Sequence, residues 1–254
     1  MIYSLQKANI LRRFSAFLLD FILVVIVATG AILLMSKIVN YDKTSNELDT
    51  VYLEYKEKYG FDFREITETK YNEFTEEQKE TYDNAYKELV NDEDFKKTYA
   101  LIINKTFLMV TIGVLLGILL IEFIVPLFLK NGQTPGKKCF QIAVMMENGV
   151  KITTFALLTR TLLGKFLETM VPIYILIMLL FGNVQLIHLF ILAVVVLVEL
   201  CLLIFNYRHA LIHDLISYTV VVDKQTQMIF ESEDELMKYK NEQNEKAARN
   251  KKTF

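Results

Sequence analysis

Residues 14–36 read FSAFLLDFILVVIVATGAILLMS and carry a single charge in 23 positions, Asp20. As a helix rising about 1.5 Å per residue, this stretch covers roughly 34 Å, the thickness of a bilayer's hydrocarbon core. The pattern recurs further along the chain. Residues 107–129 hold one charge, Glu122, and residues 186–206 hold one, Glu199. The 254-residue chain is 53% apolar and 23% charged, so its charges are crowded between these stretches. That distribution excludes an ordinary soluble globule. It also excludes an outer-membrane barrel, whose strands alternate over about 10 residues. The class is a multi-span helical membrane protein.

A fourth span is less plain. Residues 170–181 are apolar but number only 12, roughly 18 Å of helix and too short to cross alone. Extending back to Thr161 adds Lys165 and Glu168, which stand at i and i+3 and are expected to pair on one helix face. Pro172 is tolerable where neighbouring helices absorb the freed backbone groups. Gly182 and Asn183 then turn the chain into the last span. A re-entrant segment is the competing reading of this third stretch.

Short flanks set the expected orientation. Lys7, Arg12 and Arg13 precede the first span. Lys130, Lys137, Lys138, Lys151, Arg160 and Lys165 follow the second, against one acid outside the spans, Glu147. Both flanks belong in the cytoplasm by the positive-inside rule. Residues 37–105, with 11 basic and 17 acidic residues, then fall outside. Four spans with both termini inside satisfy every segment. The N-terminal run reads as an uncleaved anchor, because it is too long for a signal-peptide core and Asp20 interrupts it.

The outer segment reads as helical. Leu48, Val51, Tyr52, Tyr55 and Tyr59 recur at spacings of three and four until Gly60. Thr75-Glu76-Glu77-Gln78 fits a capping box that opens a second helix reaching about Val90. Eight of the 13 tyrosines lie between Tyr41 and Tyr99; a solvated hairpin packing on itself is favoured over a surface for a cationic partner. The connection after the second span differs in kind. Cys139, Ile142, Val144 and Met146 approach period-two alternation, and Asn148-Gly149 before Val150 and Ile152 signals a hairpin. Thr219–Val222 is β-branched and a candidate partner strand. Ser232 and Glu235 form another capping box, opening a surface helix; for its basic end, Arg249, Lys251 and Lys252, mere solubility is favoured over contact with anionic lipid.

The residues that carry chemistry are charges where lipid is expected. Asp20, Glu122, Glu168 and Glu199 each lie about 10–12 Å inside the end of a span, all in the same half of the bilayer. Four carboxylates at one level point to a shared polar cluster. Arg12, Arg13, Arg160, Lys165 and Arg208 lie close enough to serve as partners. Arg13 and Asp20 are seven apart and so project on nearly the same face without touching; each is expected to meet a neighbour. Two readings stay open: inter-helix ion pairs that fix bundle register, and a cation or proton site.

Other chemistries find little support. Gly132-Gln133-Thr134-Pro135-Gly136-Lys137 is not a phosphate loop, having only three residues between its glycines and Lys137-Lys138-Cys139 in place of a lysine followed by Ser or Thr. It reads as a membrane-exit turn in which Pro135 stops the helix. His188, His209 and His213 show no metal-protease spacing, and no serine sits in a nucleophile elbow. His213-Asp214 reads as a hydrogen-bonded pair near the membrane interface, with a proton relay as the alternative. Cys139 and Cys201 form no metal or redox motif. The net charge of −2 says nothing about nucleic acid, but such a partner would need a basic face and a module signature, and the sequence has neither. No catalytic residue, cofactor or metal is expected.

Three of these segments together resemble the RDD family of bacterial membrane proteins, named for one arginine and two aspartates. Arg13-Phe14-Ser15-Ala16-Phe17-Leu18-Leu19-Asp20 is similar to the family's opening. Asn131-Gly132-Gln133-Thr134-Pro135-Gly136-Lys137-Lys138 is similar to its most recognisable loop. His213-Asp214-Leu215-Ile216-Ser217-Tyr218-Thr219-Val220-Val221-Val222 is similar to its C-terminal signature. Carried over by position, the namesake residues are Arg13, Asp20 and Asp214. The resemblance covers about 7–36 and 104–224; the 37–105 insertion and the 230–254 tail lie outside it. It implies a multi-pass plasma-membrane protein, with transport, including cation/proton exchange, as its activity.

The expected fold is thus an all-α membrane protein: a four-helix transmembrane bundle with a helical extracellular insertion and a small cytoplasmic β-hairpin. Its segments are 1–36, the N-terminus and first helix; 37–105, the insertion; 106–224, the remaining core; and 225–254, a cytoplasmic tail. The ion-binding or ion-pair set comprises Arg13, Asp20, Glu122, Glu168, Glu199 and Asp214. Expected partners are the lipid bilayer, monovalent cations or protons, and a second copy or an outside partner at 37–105. The function expected first is a cation/proton or small-solute transporter in the bacterial cell membrane. A non-transporting accessory or scaffold protein comes second, and a membrane-embedded enzyme third.

Overall fold

The computed structural model describes residues 3–182 and 184–252. The chain begins with α1 (Ile10–Ile38). Next come α2 (Tyr41–Tyr59), α3 (Glu68–Asn72), α4 (Glu76–Asn91) and α5 (Glu93–Ile118). A π-helical turn (Leu119–Ile124) joins α5 to α6 (Val125–Phe128). The motif loop forms α7 (Pro135–Cys139), followed by β1 (Ile142–Met146). After α8 (Thr154–Thr159), a second π turn (Arg160–Phe166) leads into α9 (Leu167–Leu180). The chain closes with α10 (Leu186–Phe205), α11 (Ile212–Ile216), β2 (Thr219–Asp223) and α12 (Glu233–Lys252).

Among the described residues, four helical runs are long and apolar enough to cross a membrane: Ile10–Ile38, Glu93–Phe128, Thr154–Leu180 and Leu186–Phe205. The third is 27 residues of continuous helix, about 40 Å, so it has the length of a full span despite its short apolar centre. Pro172 sits inside it. Gly182, after its end, adopts φ +67°; Asn183, its expected partner in the turn, lies outside the described residues.

The surface of these helices is inverted relative to a soluble protein. On α1 the buried residues are Ala16, Asp20 and Ala28, while Phe14, Phe17, Phe21 and Ile26 are exposed. On α10 no residue is buried. Large apolar side chains outward and small or charged ones inward is the arrangement a hydrocarbon solvent selects.

The chain divides into two compact units, residues 1–29 with 113–254, and residues 30–112. In the first, β1 and β2 pair antiparallel, from Ile142 opposite Asp223 to Met146 opposite Thr219. Alternation sorts their side chains. Ala143, Met145, Val220 and Val222 pack on one face; Ile142, Val144 and Val221 join Ala8 and Ala16 on the other. The small sheet is therefore a long-range pair. Asn148 and Gly149 do turn the chain, with Gly149 at φ +92°, but residues 150–151 contribute only single bridges, Met145 to Lys151 and Val150 to Phe230.

The second unit follows its sequence closely. Gly60 closes α2 at φ 78°, donating its N–H to Lys56 O, and the Thr75–Gln78 capping box opens α4. Tyr55, Leu89 and Phe95 form its buried centre. Tyr82 packs against Phe61, Phe63, Phe74 and Tyr71, so tyrosines here pack on other aromatic rings of the unit. In the first unit's tail, Ser232 accepts the Glu235 N–H as expected. The side chains of Arg249, Lys251 and Lys252 lie outside the described residues.

Candidate functional site: buried charges around two π turns

In the first unit the motif loop folds inward onto α1. Thr134 is the N-cap of α7 and accepts the Lys137 N–H at 3.2 Å. Pro135 occupies the first helical position, where a missing N–H costs nothing, so it starts a helix. The expected stop at Pro135 is corrected accordingly. Asp20 lies against this N-terminus. It accepts the Gly136 N–H at 2.7 Å and a short hydrogen bond from the Thr134 hydroxyl. A Cβ at Gly136 would stand 2.3 Å from Ala16 O and 2.9 Å from the Asp20 carboxyl carbon. Only glycine lets the loop reach this aspartate.

Lys137 ties Asp20 to the second span. Its Nζ lies 3.1 Å from Glu122 Oε2 and 3.9 Å from Asp20 Oδ2. Lys165 pairs with the other oxygen of Glu122. Two carboxylates and two lysines thus form a closed network of zero net charge. All four are largely buried.

Asp214 anchors a second group. It is fully buried, pairs with Arg160, lies 3.0 Å from Arg13, and accepts the Leu211 N–H at 3.1 Å. Burial alone would raise its pKa; Arg160, His213 and Arg13 overcome that and hold it well below the usual carboxylate range. Asp214, read from the sequence as a membrane-interface residue, is buried within the protein: the chain after α10 folds back, and α11 carries Asp214 between two arginines. Arg160 also donates to the Thr219 hydroxyl at 2.7 Å, which links this group to β2.

Beside it, His213 Nδ1 lies 2.8 Å from Glu168 Oε2, and its Nε2 lies 3.7 Å from Asp214 Oδ1. The expected hydrogen bond between His213 and Asp214 is therefore replaced by one to Glu168. Burial, aided by Arg160, lowers the His213 pKa below its ordinary value against the pull of Asp214 and Glu168. Glu199 of α10 reaches the same spot: one ligand-type atom each from Glu168, Glu199 and His213 lie within 4.8 Å of one another.

Both π turns sit at these charges. The first holds Glu122. The second distributes four contacts: Arg160 to Asp214, Thr161 to the Glu122 carbonyl at 3.2 Å, Lys165 to Glu122, and Gly164 against His213. A Cβ at Gly164 would stand 2.3 Å from the His213 Cβ. Wider turns re-aim side chains, and such bulges concentrate at functional positions. The widened turn also explains why Lys165 and Glu168 do not pair with each other as expected; they face different partners.

The six sequence-derived residues therefore come together in two places. Asp20 and Glu122 share Lys137, whereas Arg13, Asp214, Glu168 and Glu199 gather around His213 and Arg160. The motif loop joins the first place through Thr134, Gly136 and Lys137; Gln133 instead bonds Ile142 O at 2.8 Å and Lys224 at 2.7 Å. The sequence showed Lys137 as a basic flank and motif residue and His213 as a neighbour of Asp214. Nothing in their spacing marks them as the bridging groups.

Chemically, the first place offers carboxylates already neutralised by ammonium groups, and the second offers oxygen and imidazole donors. Compared with known families, residues 7–218 match the model of the RDD family. No curated protein and no solved structure matches.

Proposed function

The chain belongs to the RDD family, and on that premise we propose that this membrane protein exchanges a monovalent cation, or a small cationic solute, for protons. The observation that supports this reading is the Asp20–Glu122–Lys137–Lys165 network. Its charges cancel, so adding a proton or a cation requires one ion pair to open. Asp20 is the natural entry point. Its lysine is the more distant, at 3.9 Å, and its other partners, a hydroxyl and a backbone N–H, are neutral. A cation at Asp20 would leave Lys137 to Glu122 alone, and a proton at Asp20 would do the same. Two ligands that compete for one carboxylate are the basis of exchange. The basic flanks support a plasma-membrane orientation with both termini cytoplasmic.

Flux in proteoliposomes tests the reading. With an imposed Na⁺ or K⁺ gradient, the purified protein is expected to move protons in the opposite direction, with a rate that depends on pH. A protein that moves neither Na⁺, K⁺ nor H⁺ between about pH 6 and about pH 9 would transfer the conclusion to an accessory role built on the 37–105 insertion.

A further inference from the structure

We propose that Glu168, Glu199 and His213 form a binding site for a divalent transition-metal ion of the zinc or manganese class. The site is distinct from the Asp20–Glu122 network on which the transport reading rests.

Charge accounting leads to it. Among the described residues, Asp20, Glu122 and Asp214 each have a lysine or arginine within ion-pair distance. Glu168 has only His213, and Glu199 has no ion pair. Both Glu199 oxygens and Glu168 Oε1 are buried without a hydrogen-bond partner. The Ile212 backbone N–H faces Glu199 without reaching hydrogen-bonding geometry. Three orphaned carboxylate oxygens at one point are costly, because each has surrendered water for nothing. A divalent cation between two carboxylates would satisfy the oxygens and cancel both charges.

The donor set and its surroundings favour a transition metal. Imidazole suits zinc, iron and their neighbours, while an all-oxygen cage suits calcium or magnesium. Ligand bonds near 2.0–2.2 Å place adjacent donor atoms roughly 3 Å apart, and Nδ1 of His213 is 2.8 Å from Glu168 Oε2. The long glutamate side chains close the remaining separation by rotation. With Nδ1 toward the site, the opposite nitrogen of His213 faces Asp214 Oδ1 at 3.7 Å. At 3.7 Å this is no hydrogen bond; a closer approach of the two groups on metal binding would complete the carboxylate–histidine–metal order in which the distal carboxylate fixes tautomer and ring orientation. Asp214 is itself held by two arginines, and Gly164 leaves room for the His213 ring's backbone to pack closely. Glu168 keeps 21% of its side chain exposed.

The test uses full-length protein, purified in detergent with a histidine-free tag and stripped by chelator, then titrated with Zn²⁺ and separately with Co²⁺. One equivalent of Zn²⁺ is expected to bind, and Co²⁺ is expected to show visible absorption bands of a mixed nitrogen–oxygen site. Glu199→Gln and His213→Asn should each weaken binding by at least about tenfold, a loss that even residues beyond the direct ligands produce, while Asp20→Asn should leave it unchanged. Should His213→Asn fail to fold, Glu199→Gln carries the comparison, since no hydrogen bond is lost there. No stoichiometric binding, or unaltered affinity in Glu199→Gln, would overturn the site. Zn²⁺ binding without Na⁺ or K⁺ flux would keep the site and remove the transport reading; flux without Zn²⁺ binding would do the reverse.

Discussion

Ion pairs are plentiful in both units of this chain, but among the described residues only the first adds buried pairs to exposed ones such as Lys151–Glu231. In residues 30–112, Lys58 meets Glu88 and Arg64 meets Asp49, all at exposed side chains. Hydrogen bonds from Arg64 and Lys56 hold Asp62 well below the usual carboxylate range, and both donors remain open to water. In the first unit, Asp214 meets Arg160 and Arg13 with almost no exposure on any of the three. Either partner of an exposed pair returns to water when the other is removed. A buried partner cannot, and its stranded charge is what makes removal expensive. The same residue types therefore decorate one unit and determine the other.

The largest effect should come from breaking the buried group. Asp214→Asn strands two arginines and is expected to destabilise the protein by about 3–5 kcal/mol, seen as a steep fall in the thermal midpoint or as loss of folded protein in detergent. Because the folded-state pKa of Asp214 is depressed, its contribution is present above about pH 4, the ordinary aspartate value. It is lost as pH falls from there toward the folded pKa. A melting series should accordingly drop below about pH 4 in the unaltered protein and be flatter there in any Asp214→Asn protein that folds.

Gly136→Ala comes next. The new Cβ meets Ala16 O, and overpacking of this kind costs about 1–3 kcal/mol; a midpoint equal to that of the unaltered protein would show that the loop does not sit against α1. In the other unit, Thr75→Ala removes the capping hydroxyl of α4 and should cost about 1 kcal/mol, measurable by helix protection in hydrogen exchange. Lys58→Ala should give no detectable shift of the midpoint. A Lys58→Ala effect as large as that of Asp214→Asn would erase the contrast between the units.

The legible part of this fold was whatever depends on local pattern. Span lengths, the Gly60 stop, the Thr75 and Ser232 caps and the strand alternation all rest on neighbours within a few residues, and each is present. Pairing across the chain was legible in part: residues 219–222, the candidate partner strand, do pair with β1, whereas the 148–149 turn signal brings residues 150–151 only single bridges. Proline at 135 was misread as a stop because the preceding helix had already ended at Phe128. Most of all, helical wheels assume 3.6 residues per turn. The two π turns break that count at Glu122 and at Arg160–Phe166, so the one-level set of four acids resolves into two groups with different partners.

The most direct measurement of the account is Asp20→Asn, read twice, by thermal midpoint in detergent and by cation-driven proton flux in proteoliposomes. The amide keeps its oxygen for the Gly136 N–H, its NH2 group can donate to the Thr134 hydroxyl in place of the bond the carboxylate accepted, and Glu122 still balances one lysine, so the protein is expected to fold with a modest drop in midpoint. Its flux should lose pH dependence and fall to the level of empty liposomes. Unchanged pH-dependent flux in a folded Asp20→Asn protein would contradict the account, leaving Asp20 as a tether for the motif loop.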